Sequence, residues 1–183
     1  MDVQASSHHV LHAFCVRPNV RFEAQSDNEQ VILVIRAHPV TQIYWIINAF
    51  AFVMALFGAN YFMVNFLTTS QVVFINGLAV AVIFSYLWVN FLTWYFNVGI
   101  ITNERVVDVD LSSLIYREVT YSNLNKIEDV TSKGGGFIAS LFNYGDVYIQ
   151  TAGTEVNIEY INIPRPAEVA KLINQLINAP NSP

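Results

Sequence analysis

The stretch Ile43-Tyr44-Trp45-Ile46-Ile47-Asn48-Ala49-Phe50-Ala51-Phe52-Val53-Met54-Ala55-Leu56-Phe57-Gly58-Ala59-Asn60-Tyr61-Phe62-Met63-Val64-Asn65-Phe66-Leu67 decides the class of this chain. A second run of equal length, Val72 to Phe96, follows across Thr68-Thr69-Ser70-Gln71. No Asp, Glu, Lys or Arg occurs anywhere between Arg36 and Glu104. At 1.5 Å rise per residue each run spans about 37 Å as a helix, more than the ~30 Å hydrocarbon core of a bilayer. A helix on the surface of a soluble core shows an apolar stripe and a polar face; one that is apolar all round is buried or crosses a membrane. The remaining residues are too few and too polar to enclose two such helices. The expectation is therefore two transmembrane helices, 43–67 and 72–96, packed as an antiparallel hairpin.

Aromatic residues fit this reading. Tyr44 and Trp45 open the first run and Trp94 and Tyr95 close the second, so all four fall at one interface as an aromatic belt. Both chain ends lie on that side, with all nine Lys and Arg residues. Arg36 and Arg105 flank the helices, against no basic residue in the linker, and the positive-inside rule places both termini in the cytoplasm. The expected location is the cell (inner) membrane, as a multi-pass protein. The first twenty residues lack the basic start, apolar run and cleavage site of a signal peptide, so the first helix is expected to act as the insertion signal.

Composition excludes other classes. The chain of 183 residues is 54% hydrophobic and 13% charged, with a net charge of -5; soluble domains carry about 25% charged residues. Nucleic-acid binding needs a basic patch, and none is visible. Cys15, the single cysteine, rules out an internal disulfide.

Outward from the helices, residues 1–28 read as a loose polar arm. Residues 29–42 hold a short β-branched strand, Gln30-Val31-Ile32-Leu33-Val34-Ile35-Arg36-Ala37, broken by His38-Pro39. From Asn97 to 178 the pattern changes to short Val-, Ile-, Tyr- and Thr-rich runs. Strands are predicted at 97–102, 105–110, 114–121, 124–131, 146–151 and 155–161. Asn103-Glu104 turns the first hairpin, and Thr151-Ala152-Gly153-Thr154 links the last two strands. In the final strand Val156, Ile158 and Tyr160 alternate toward one face. A helix enters at Pro166, with Val169, Leu172, Ile173, Leu176 and Ile177 on one face and Glu168, Lys171, Asn174 and Gln175 on the other. Residues 179–183 form a tail. The fold class is α+β: a helical hairpin followed by a mainly antiparallel β domain.

The segments Tyr95-Phe96-Asn97-Val98-Gly99-Ile100-Ile101-Thr102-Asn103-Glu104-Arg105-Val106-Val107-Asp108, Ile127-Glu128-Asp129-Val130, Leu141-Phe142-Asn143-Tyr144-Gly145-Asp146-Val147, Ile149-Gln150-Thr151-Ala152-Gly153 and the closing helix from Pro166 to Ile177 form an ordered series. In that order they resemble bacterial pleckstrin-homology-like membrane domains. The order of these motifs over residues 29 to 178 is more specific than any one alone. The resemblance implies a pleckstrin-homology-like barrel of two antiparallel sheets capped by the C-terminal helix, with two membrane helices before it.

Candidate chemistry is sparse. His8, His12 and Cys15, with His9 as a fourth, have the spacing of metal ligands on one helix face, but a loose arm with incidental histidines explains them better. Lys133-Gly134-Gly135-Gly136 could turn its amides inward as an anion nest; the P-loop sequence is absent, and a plain loop is favoured. Residues 97–183 hold six basic against ten acidic residues. Phosphoinositide recognition is thus disfavoured, although Arg105, Arg117 and Lys126 could gather into a local basic cleft. Asn48, Asn60, Asn65, Asn76 and Asn90 are read as helix-association contacts, within the hairpin or between protomers. An ionisable group, the usual mark of a transport path, is missing from both runs. Asp108, Asp110, Glu128 and Asp129 read as solvated strand residues. No catalytic set, cofactor motif or nucleotide loop is recognisable. The functional expectation is a non-catalytic, membrane-anchored interaction module that binds a protein or lipid partner, or forms a homo-oligomer. The alternative is an accessory subunit of a membrane transport or export assembly.

Overall fold

A computed structural model describes residues 13–18, 22, 25–111, 117–152 and 157–179. Two long apolar helices come first: α1 (Ile43–Met63) and α2 (Thr69–Phe96). Asn60 meets Asn76, and the Phe52 and Tyr86 rings meet edge-on at 6.1 Å, so the helices run antiparallel. Their ends differ from the expected 43–67 and 72–96. Thr68 starts α2 three residues early, because its backbone N–H and its hydroxyl both donate to the Gln71 carboxamide oxygen at 3.0 Å; this satisfies part of the exposed first turn. The connection is therefore residues 64–68. Both helices are long and apolar enough to cross a membrane. Within α1 only Ala49 is buried, and within α2 nothing is.

The remaining chain folds into two antiparallel sheets. The five-stranded sheet has the order β1 (Phe14–Val16), β2 (Val31–Ile35), β3 (Val98–Thr102), β4 (Arg105–Leu111) and β5 (Arg117–Asn123). The three-stranded sheet has the order β6 (Ile127–Gly134), β7 (Tyr144–Thr151) and β8 (Ile158–Pro164). A short helix, α3 (Gly136–Phe142), joins β6 to β7, and α4 (Pro166–Asn178) closes the chain. The core lies between the sheets. Leu33, Ile35, Ile101 and Val106 from the first meet Val147, Ile149, Ile158 and Tyr160 from the second. Val169, Ala170 and Ile173 of α4 complete it, with Leu172, Leu176 and Ile177 packed at its margin. Each fully buried apolar side chain contributes roughly 1.5–3 kcal/mol, an upper bound.

Three local readings change. The stretch read as a loose arm contains a strand: Phe14–Val16 pairs antiparallel with β2 and extends the sheet. The strand expected at 124–131 starts at Ile127, because Leu124–Lys126 makes a 3₁₀ turn anchored by Leu124 N–H to the Glu104 carbonyl at 3.0 Å. A bulge between Ile127 and Asp129 then shifts the phase, so Val130 turns inward with Ile127. The strands expected at 114–121 and 155–161 occur as Arg117–Asn123 and Ile158–Pro164; Gly153, Thr154 and Val156 lie outside the described residues.

Candidate functional site

The chemically richest region is the junction where the helices meet the sheets. β2 enters α1 through a 3₁₀ turn at Pro39–Gln42, and α2 runs almost directly into β3. His38 starts that turn: its Nδ1 accepts from Val40 N–H at 3.2 Å, and its own N–H donates to the Asn162 carbonyl of β8 at 2.7 Å. Trp94 donates from Nε1 to the Ala37 carbonyl at 2.9 Å. Trp45 donates to the Gln42 side chain at 2.6 Å, and the Arg36 guanidinium lies 4.7 Å above the Tyr95 ring. Of the aromatic residues expected at one end of the hairpin, Trp45, Trp94 and Tyr95 are thus each tied to a polar partner or to the chain, while Tyr44 is exposed. Burial lowers the His38 imidazole below its ordinary value, which keeps it neutral near pH 7.

A cleft of about 360 Å³ opens beside this junction, lined by Thr41, Gln42, Asn97, Asp108, Asp110 and Glu159 among others. Asp108 is half-buried rather than solvated. Burial first, then the charges of Asp110 and Glu118, push its carboxyl up from 3.8 to about 6. Asp110, Glu128 and Asp129 are exposed, in keeping with the sequence reading. At the back of the cleft Gly99 lets the sheets approach: a Cβ there would overlap the Tyr160 ring and sit 2.8 Å from Ile35 Cγ1. The Tyr160 hydroxyl donates to the Val107 carbonyl at 2.9 Å, stitching the sheets together, and burial raises its ionisation well above the usual range.

The far end of the first sheet holds a buried ion pair that the sequence does not reveal. Glu29 has no exposed side-chain surface and accepts from Arg105 through Nε at 2.9 Å and Nη2 at 2.7 Å. The Thr102 hydroxyl and the Ser26 N–H supply two further donors. Burial alone raises the Glu29 carboxyl, but these donors outweigh it and hold it below its ordinary value. Arg105 lies between the rings of Phe22 and Tyr121. It is therefore engaged by Glu29 and does not form the basic cleft considered above. Arg105 and Arg117 also start opposite ends of the β4–β5 ladder, pairing with Asn123 and Leu111.

Other candidates resolve simply. Asn60 and Asn76 exchange reciprocal amide hydrogen bonds at 2.8 and 2.7 Å, and each also donates to the carbonyl four residues before it. Asn65 and Asn90 donate to their own helices. Gly134 extends β6 and Gly136 starts α3, while the Lys133 ammonium lies 4.4 Å over the Tyr148 ring. His8, His9 and His12 lie outside the described residues; among the described residues no group of three or more His, Cys, Asp or Glu could hold a metal.

Two sheets in this topology, a closing helix and a preceding hairpin are the architecture the motif order implied. Residues 49–177 match the family described as Bacterial PH domain. The chain belongs to that family. No curated protein and no solved structure matches it. The matched region of this bacterial PH protein begins inside α1, so β1 and β2 lie before it although Leu33 and Ile35 are fully buried in the common core.

Proposed function

We propose that the chain is a non-catalytic binding module anchored in a bilayer by α1 and α2, with its double sheet held at the cytoplasmic face to engage a protein or lipid partner. The observation that carries this reading is the contrast in burial. The sheets and α4 enclose a core of their own, while α1 and α2 leave Phe50, Phe57, Phe74, Leu78 and Phe84 more than half exposed. Apolar surface of that extent calls for a covering, and lipid chains cover a charge-free helix of this length. The tryptophans and tyrosines at the junction suit a membrane interface there, and the positive-inside bias, with Arg36 beside the junction and no basic residue in the linker, favours the cytoplasmic side.

The expected partner is a protein, a second copy of the chain or a lipid headgroup. Highly charged phosphoinositides fit poorly, because the domain is acidic and Arg105 is committed to Glu29. An accessory role in a transport assembly draws less support, since Asn60 and Asn76 satisfy each other within the hairpin. The test is cross-linking in native membranes, with identification of captured proteins and co-purified lipids against a control bearing the helices alone. Enrichment that depends on the sheets supports the reading. No enrichment of either kind, or a chain that stays monodisperse without detergent, overturns it.

A further inference from the structure

Helix α3 carries an apolar face with nothing of its own chain over it. Phe137 is 82% exposed, Leu141 67%, Ile138 50% and Phe142 45%; only Ala139 is buried. Four large apolar side chains on a seven-residue helix form a contiguous patch, not the scattered exposure normal for a soluble surface. The segment from Gly134 to Gly145 has no charged residue, in a domain that carries ten acidic and six basic residues over 97–183. The Ser140 hydroxyl is satisfied locally, donating to the Gly136 carbonyl at 3.0 Å.

Position singles out one occupant. Phe137 and Ile138 line the same cleft as Tyr44, which lies in the first turn of α1. At the other end of α3 the Phe142 ring is 6.4 Å from His38, at the foot of α1, and Tyr144 stacks on that imidazole at 5.6 Å. The exposed face of α3 is therefore continuous with the aromatic end of the helical hairpin. We infer that α3 is a second membrane contact: Phe137, Ile138, Leu141 and Phe142 enter the headgroup–acyl boundary of the bilayer that holds α1 and α2. This inference rests on the anchored reading above. Aromatic and aliphatic side chains on a short uncharged helix suit that boundary, where a buried depth of about 5–10 Å takes the apolar face and leaves the backbone near water. Two attachments, the hairpin and α3, fix the orientation of the double sheet against the membrane plane, where one attachment alone leaves it free to swing.

The test uses the full chain in phosphatidylcholine vesicles with Cys15→Ser as background. An environment-sensitive fluorophore is attached at Leu141→Cys, with Phe57→Cys in α1 as the lipid reference and Glu128→Cys as the water reference. Expected is a blue-shifted Leu141 label, quenched at least twofold more than the Glu128 label by lipids bearing a nitroxide near the headgroup, and less by lipids bearing it deep in the chain. A Leu141 label that matches Glu128 while Phe57 stays quenched overturns the α3 contact and leaves the anchor standing. Loss of quenching at Phe57 as well overturns both. A blue-shifted label that no lipid nitroxide quenches means protein covers the face, a second copy included, and also overturns the inference. Phe137→Cys repeats the measurement on the same helix should the Leu141 variant fold poorly.

Discussion

Replacing Arg105 with Gln leaves the Glu29 carboxylate fully buried, with only the Thr102 hydroxyl and the Ser26 N–H as donors. Breaking a buried ion pair by removing one partner typically costs about 3–5 kcal/mol, because the remaining charge is uncompensated. Arg105 keeps 19% of its side chain exposed, so water partly replaces it and the low end, about 3 kcal/mol, is expected. Hydrogen exchange at the β2–β3 ladder amides then quickens by about a hundredfold, at 1.4 kcal/mol per factor of ten. Glu29→Gln is expected to cost less, about 1–2 kcal/mol, since the arginine it leaves can reach solvent. The double variant should fall short of the summed single costs by more than about 1 kcal/mol. The sign with pH follows from the lowered Glu29 carboxyl. Its contribution is present above the unfolded value of 4.5 and is lost as pH falls through the folded value, so wild type and R105Q converge in acid. Single costs that simply add, or an R105Q penalty unchanged at low pH, would refute the coupling.

Gly99→Ala should lower the melting temperature markedly in detergent, costing about 1–3 kcal/mol or more, because the added methyl meets the Tyr160 ring and Ile35 from both sheets; an unchanged melt contradicts the packing. Asp108→Asn should stabilise the domain at pH 8 by about 1–2 kcal/mol, a figure already reduced for the solvent that reaches the group. Because the folded carboxyl titrates near 6 and the unfolded one at 3.8, that gain fades across this window and is absent below it, as urea titrations at several pH values will show. Asn76→Leu should weaken the helical hairpin by about 0.6–2 kcal/mol by stranding the Asn60 amide. The Asn60→Leu/Asn76→Leu pair should recover part of that loss in detergent melts.

What the sequence made legible follows from the range of each interaction. The α4 face, Val169 to Ile177, is written in consecutive turns of one helix, and it packs as its spacing implies. The absence of charge from 37 to 103 likewise marks α1 and α2 from composition alone. Helix ends were less legible, since Thr68 caps α2 through a side-chain contact that a run of apolar residues does not encode. β1 is three residues long, too short to show a period, and exists only because β2 offers it an edge. The Glu29–Arg105 pair joins residues 76 apart, and nothing near either one marks the other. Asp108 sits in an alternating strand that reads as solvated; its partial burial arises from the seam with β8, a tertiary fact. The Phe137–Phe142 segment is apolar in sequence, yet only the fold shows that its outer face stays open.

The first sheet straddles the hairpin, with β2 made before α1 and its partner β3 after α2. During synthesis Val31–Ile35 emerges early and must wait for its neighbour, and Glu29 waits for an arginine 76 residues later. At ribosomal speeds of about 5–20 residues per second that delay lasts about 4–15 seconds. Closure of the sheet is thus a late event: until the chain beyond α2 returns beside it, β2 lacks its β3 neighbour and Glu29 its cation, an unfinished edge with a buried charge unpaired.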